Sequence, residues 1–180
     1  MGLTKASSTV INTPSLLSGN FIQVTYNEIT TSQVYSNAYI PADPSIPLIT
    51  EGVEVLTCTI TPRFSSSYLL VESNMFMGEN VNDSDALVMA LFRDTLPNAL
   101  ATSIVNAAPS GSSPFGGANC FGPAYLKCKT PANTTIPTTF RIRVGGSTAS
   151  SQAVRINGAN NQQWFGGTLV SYLSIYEVAI

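Results

Sequence analysis

A run near the carboxyl end, Leu169 to Val178, constrains this chain more than any other stretch, because it is apolar on both sides of an extended backbone. Successive side chains of a strand point to opposite faces. Leu169, Leu173 and Ile175 share one face, and Val170, Tyr172, Tyr176 and Val178 share the other. A strand apolar on both faces has to be covered on both. The domain's own core can cover one face. A second sheet or another subunit must cover the other, so the run is expected to be a central strand beside an oligomer axis. Just upstream, Val154 and Ile156 alternate with Arg155, as on a strand with one wet face. Asn157-Gly158 and Asn160-Asn161 supply turn chemistry.

The rest of the chain repeats this pattern in short pieces. Phe21 to Ile29 alternates, with Phe21, Gln23, Thr25 and Asn27 on one face and Ile22, Val24, Tyr26 and Glu28 on the other. Val34 to Ile40 is a weaker candidate. Val53 to Thr61 and Tyr68 to Met77 flank a Pro/Ser loop and read as a hairpin. Ala86 to Arg93 is apolar on both faces and suits a buried strand. Ala99 to Ala107 fits a strand or a helical turn, and Ala124 to Lys129 a short strand. Thr138 to Val144 is clearer, with Phe140, Ile142 and Val144 inward. About eight to ten short strands, with turn signals every ten to fifteen residues or so, predict an all-β antiparallel sandwich or jelly roll. No segment carries helix-capping signals, and no repeat of fixed period is present. Residues 1–20 are polar with few apolar anchors and are expected to form an N-terminal extended arm. Residues 21–180 are expected to form the head domain.

Composition removes several function classes. Only 10% of the 180 residues are charged, against about 25% in an average soluble domain. With 44% hydrophobic residues, such a chain suits an oligomer that hides surface. The net charge of −2 leaves no footprint for nucleic acid. Lys127, Lys129, Arg141, Arg143 and Arg155 fall on alternating strand positions and read as solvated faces. No apolar run approaches the ~20 residues of a membrane helix, so no membrane insertion is expected. Met1 to Ser8 has no apolar core segment, which implies synthesis in a cytoplasm without a signal peptide. Of three cysteines, Cys58 alternates with Leu56 and Ile60 like a buried free thiol. Cys120 and Cys128 flank a short stretch read as a loop, where a bridge is possible and free thiols are expected.

The chain contains no histidine. Ser-His-Asp and Cys-His mechanisms are therefore absent, and neither enzymatic activity nor a cofactor is expected. A carboxylate-pair glycosidase built from Glu72, Glu79, Asp83 or Asp85 is formally open but has no cleft signature. The stretch Glu79 to Asp85 offers oxygen ligands at near-alternate positions, with Glu79, Asp83 and Asp85 the calcium candidates. It lacks the glycine and terminal glutamate of an EF-hand loop, so a solvated turn is the first expectation and no metal site is assigned. Arg93-Asp94 reads as a rim ion pair, with an intersubunit pair as the alternative. Trp164, the single tryptophan, lies beside Phe165-Gly166-Gly167. It either packs in a subunit contact or stacks on a sugar. Phe115-Gly116-Gly117 poses the same choice between apical contact and linker.

Three segments in order resemble a known group. They are Gln23-Val24-Thr25-Tyr26 with Thr57 to Ser67; Leu91-Phe92-Arg93-Asp94; and Thr139 to Gly145 followed by Ile156-Asn157-Gly158, Phe165-Gly166-Gly167 and Leu173 to Val178. This order resembles the small jelly-roll heads of bacteriophage virion proteins on tail fibres, head fibres and capsid decorations, which look like the trimeric tumour necrosis factor fold. Leu3-Thr4-Lys5-Ala6-Ser7 is similar to the opening of some tail-fibre proteins. No coiled-coil, collagen-like or β-helical shaft is present. The resemblance implies a virion structural protein made in the host cytoplasm, a homotrimeric knob serving as capsid cement, decoration or head fibre. Residues 1–20 would dock on other virion proteins, such as the major capsid protein or tail and fibre proteins. The trimer interface would comprise Leu169, Val170, Tyr172, Leu173, Ile175, Tyr176 and Val178, joined by Ala86 to Phe92. The alternative is a tail-fibre or spike tip whose Trp164, Phe165 and Phe115 contact a host surface glycan.

Overall fold

The computed structural model describes residues 20–79, 86–105, 121–147 and 153–180. The expectations placed on residues 1–19, Asp83, Asp85, Phe115 and Cys120 lie outside the described residues. The strands are β1 (Phe21–Ile29), β2 (Gln33–Ser36), β3 (Val53–Ile60), β4 (Tyr68–Glu79), β5 (Leu87–Arg93), β6 (Ala101–Val105), β7 (Phe121–Pro131), β8 (Thr138–Gly146), β9 (Ala153–Ile156), β10 (Gly158–Ala159), β11 (Gln162–Gln163) and β12 (Ser171–Val178). Among the described residues there is no α-helix, only a 3-10 turn at Phe165–Gly167.

The larger sheet runs β1–β12–β4–β9–β2, with β7 on the free side of β4. At 12 residues, β4 is long enough to carry β12 along Tyr68 to Asn74 and β9 along Met77 to Glu79 on one edge. On its other edge β7 pairs from Tyr68 to Gly78. The smaller sheet runs β3–β8–β5–β6. The chain passes repeatedly between the two sheets, and every strand pair is antiparallel. This is the jelly-roll sandwich that the short alternating strands predict. The expected hairpin of β3 with β4 does not form. β3 pairs with β8 and β4 with β12 and β7, so the Pro/Ser loop crosses from one sheet to the other.

The core lies between the sheets. Leu69, Val71, Met75 and Met77 of β4 face Leu87, Met89 and Leu91 of β5 and Phe140, Ile142 and Val144 of β8, all fully buried. Burying each such side chain stabilises the fold by roughly 1.5–3 kcal/mol. Cys58 lies in this core as the expected free thiol, its Sγ 3.4 Å from Thr25 Oγ1.

The other face of β5 is covered as well, by its own subunit. Val88, Ala90 and Phe92 pack with Ile40, Ile49 and Ala99. The covering segment is pinned by Ile40 N–H to Gly146 O (3.0 Å), Ile49 N–H to Pro97 O (2.8 Å) and Ala99 N–H to Pro47 O (2.9 Å). Gly145 permits the approach, since a Cβ there would sit 2.7 Å from Ile40 N. The expectation that Ala86 to Phe92 packs around an oligomer axis is therefore overturned.

Two devices shape the edge formed by β1. A bulge between Phe21 and Gln23 shifts the register against β12. It turns Phe21 to the face of Val24 and Tyr26 instead of the face of Gln23, as the simple alternation had it. The amides of Gln23 and Asn27 then reach the backbone of β3 and its exit, donating to Thr61 O (2.7 Å) and Thr57 O (2.8 Å). Side chains thus close the seam between the sheets where no backbone ladder exists.

Candidate functional site

β12 has one face in the core and one that the described residues leave open. Leu173 and Ile175 are fully buried beside Ser171 and Glu177. Tyr172, Tyr176 and Val178 point the other way and are half-buried. Leu169 and Val170 precede the strand and are half-buried. Of the seven expected interface residues, Tyr172, Tyr176 and Val178 thus share the open face. Leu173 and Ile175 are corrected to core positions, because the sandwich has already covered them.

The register builds the rest of the face. Val24, Tyr176, Leu70 and Lys129 form one row across β1, β12, β4 and β7. Tyr26, Ser174, Glu72 and Lys127 form the next, and Glu28, Tyr172, Asn74 and Tyr125 the third. Phe21 packs at a tilt against Tyr176 (5.2 Å between ring centroids), and Tyr26 stacks on Tyr172 (5.9 Å). Lys129 Nζ stands 4.0 Å over the Tyr68 ring, a cation–π contact. Phe21, Val24, Tyr26 and Tyr125 are each more than half exposed. At one end an open groove of about 480 Å³ lies among Phe21, Tyr68, Leu70, Lys129, Val178 and Ile180. Val24, Tyr26, Tyr68, Leu70 and Tyr125 were not singled out in the sequence. Their alternation was legible, but only the pairing order shows that four strands present these residues on one surface.

The polar groups of this face are mostly matched. Lys127 Nζ is 2.6 Å from Glu72 Oε1, and this carboxylate raises the lysine pKa. Tyr26 donates to Glu28 Oε2 at 2.6 Å. That bond, aided by partial burial and the nearby carboxylate charge, pushes the phenol up to about 12. Burial first, then Tyr125 and Glu72, raise Tyr172. The raised values keep Lys127 charged and Tyr26 and Tyr172 neutral near pH 7. What the face offers is contact: ring faces, hydroxyls and one ion pair.

The loop ahead of β12 carries the expected apical aromatics. Asn160 and Asn161 both have positive φ (50° and 60°), as a two-residue turn between β10 and β11 requires. Trp164 is half-buried. Its ring lies against Phe121 (6.0 Å between centroids, 29°), and its indole N–H donates to Ala159 O (3.3 Å). The tryptophan thus packs on its own subunit. Phe165 is 60% exposed and has φ 50°.

The other candidates resolve into structural roles. Glu79 is buried at the end of β4 opposite Val154, and the other two calcium candidates, Asp83 and Asp85, lie outside the described residues. No group of three or more metal-ligating side chains occurs among the described residues. Arg93 donates to Pro131 O (2.7 Å) and Ala132 O (2.5 Å) and lies 3.7 Å from Asp94 within the same chain. Arg143 likewise donates to Glu51 O and Gly52 O. These arginines clamp loops of their own subunit, so the solvated-face reading holds only in part. Cys128 carries a free thiol. The span Phe121 to Cys128 is strand, not loop. At ~3.3 Å per residue it extends about 23 Å, far beyond the roughly 7 Å a disulfide tolerates between Cα atoms.

No protein-family model and no curated protein matches this chain. Solved structures similar to it include the following three. The sugar-binding EclA C-terminal domain shares 14% identity over 72% of this chain and 76% of that one, with a TM-score of 0.40. Eiger TNF from S. frugiperda shares 15% over 87% and 92%, with a TM-score of 0.41. A CBM36-1 domain of a multidomain xylanase from the hindgut metagenome of Trinervitermes trinervoides shares 12% over 81% and 96%, with a TM-score of 0.34. The jelly-roll assignment itself rests on the strand order above.

Proposed function

We propose that the chain is a non-enzymatic structural protein of a bacteriophage virion, a homotrimeric knob on the particle surface acting as capsid cement, decoration or head fibre. The observation that carries the assembly is the open face of β1, β12, β4 and β7, where Phe21, Val24, Tyr26, Tyr125, Tyr172, Tyr176 and Val178 leave apolar area on a finished sandwich. Stable interfaces bury about 1,200–2,000 Å² in total, with aromatic residues enriched. At about 25 cal/mol per Å² of apolar area, covering this face outweighs its single ion pair. The virion setting draws on the order of sequence segments, with residues 1–20 as the anchor to other virion proteins. The missing histidine supports a role without catalysis. Sedimentation velocity at low micromolar concentration should give a trimer. Tyr172→Arg with Tyr176→Arg should give a folded monomer. A wild-type monomer would remove this function.

Phe165 favours a second reading, a fibre or spike tip that binds a host surface glycan. Its exposed ring stands on the loop, apart from the central rows of the sheet face.

A further inference from the structure

We infer that the loop from Asn160 to Gly167 holds a subsite for a neutral pyranose, stacked on the ring of Phe165. This deepens the glycan reading and is independent of the trimer. Phe165 combines two features that folding of the subunit does not explain. Its backbone is in the left-handed region, which a bulky side chain rarely adopts, and the residue is 60% exposed. Such backbone outliers cluster at ligand clamps when the surroundings hold them in place. Here the surroundings do so. Thr168 places its N–H (3.1 Å) and its hydroxyl (2.8 Å) on the Phe165 carbonyl. Trp164 is locked beneath by Phe121 and by its bond to Ala159 O, with its ring 6.3 Å from that of Phe165. Trp164 is therefore the support, and Phe165 is the surface a ligand meets.

The flanking groups name the ligand's chemistry. Gln162 and Gln163 are exposed on β11. The Gln163 amide lies over Gly167, its Nε2 2.6 Å from where a Cβ would stand, and Gly167 has φ 89°, which favours glycine. Amides donate to and accept from hydroxyls, and a ring face packs against the C–H face of a sugar. From Asn157 to Val170 the chain has no charged residue. The loop's own residues supply no Lys or Arg to receive a sialic acid, sulfate or phosphate, and Arg155, whose stem lies against Gly158, donates to Ser32 Oγ at 2.8 Å.

The test is saturation-transfer NMR of the full chain with galactose, glucose and N-acetylhexosamine glycosides, set against sialylated and sulfated glycans. The subsite predicts binding of a neutral glycoside. It should weaken about tenfold or more in Phe165→Ala and persist within a few-fold in Phe165→Tyr, with unchanged circular dichroism in both. Binding of no sugar at all would end both the subsite and the glycan reading. Binding that survives Phe165→Ala, or that requires an acidic sugar, would leave the glycan reading standing and overturn this subsite. Dissociation of the oligomer by Phe165→Ala, without any sugar binding, would reassign the ring to a subunit contact.

Discussion

Burial alone would raise the Glu177 carboxyl, yet its hydrogen-bond donors hold it below the usual carboxylate range. Arg63 N–H (2.9 Å to each oxygen), Phe64 N–H (2.9 Å), Ser67 Oγ (2.7 Å) and Gln23 Nε2 (2.7 Å) all converge on this one inward-facing side chain. It ties the crossing between the sheets to β12 and to the edge strand. Because the folded pKa is depressed, the stabilisation is complete above the unfolded value. It is lost as pH falls through the folded value. Glu177→Gln should therefore be less stable at neutral pH but show a flatter acid limb when melting is followed from pH 7 to pH 3. Glu177→Ala leaves the buried donors unmatched and should cost about 3 kcal/mol at pH 7 in urea unfolding. Parallel acid limbs for wild type and Glu177→Gln would show that another group governs acid unfolding. Glu177 is the one acid of β12. Its donors lie more than a hundred residues away in the chain, which no local pattern reveals.

At the scale of elements, β12 and β5 read alike in sequence and end up differently. Both are apolar on two faces. β5 is covered twice within its subunit, by the core and by the segment around Ile40 and Ile49. Among the described residues, β12 is covered once. Its two faces should therefore respond differently to substitution. Leu173→Ala should lower stability by about 2–5 kcal/mol. Tyr172→Arg with Tyr176→Arg should leave the subunit's secondary structure intact and act on assembly, as seen by circular dichroism beside sedimentation. Equal loss of folding in both variants would mean that the tyrosine face is needed inside the subunit. Alternation in Phe21 to Ile29 located β1 to the residue, but the bulge that moves Phe21 onto the open face answers to β12, not to its own neighbours in sequence.

For the whole molecule, an assembly through the β1–β12–β4–β7 face makes stability a function of concentration. Partner binding to the folded state stabilises it by mass action. Melting temperature should rise with protein concentration across the micromolar range and hardly depend on salt, since the face carries chiefly aromatic and aliphatic area. A melting temperature independent of concentration, together with sedimentation as a monomer, would contradict the proposed trimer. A strong fall with salt would point instead to an interface governed by the Glu72–Lys127 pair.

Period-two alternation and turn residues were enough to determine an all-β chain, the position of most strands, and the inward set Leu69, Val71, Met75, Met77, Phe140, Ile142 and Val144. Each of these is a local property of an extended backbone, written in adjacent residues. Only the tertiary structure decided that β3 and β4 part into different sheets, that β5 is sheltered at home, and that Tyr172 and Tyr176 stay open beside Tyr26 and Tyr125. Those outcomes depend on pairings between strands far apart in the chain. A two-sided apolar strand states that it needs two covers without stating which cover its own chain supplies.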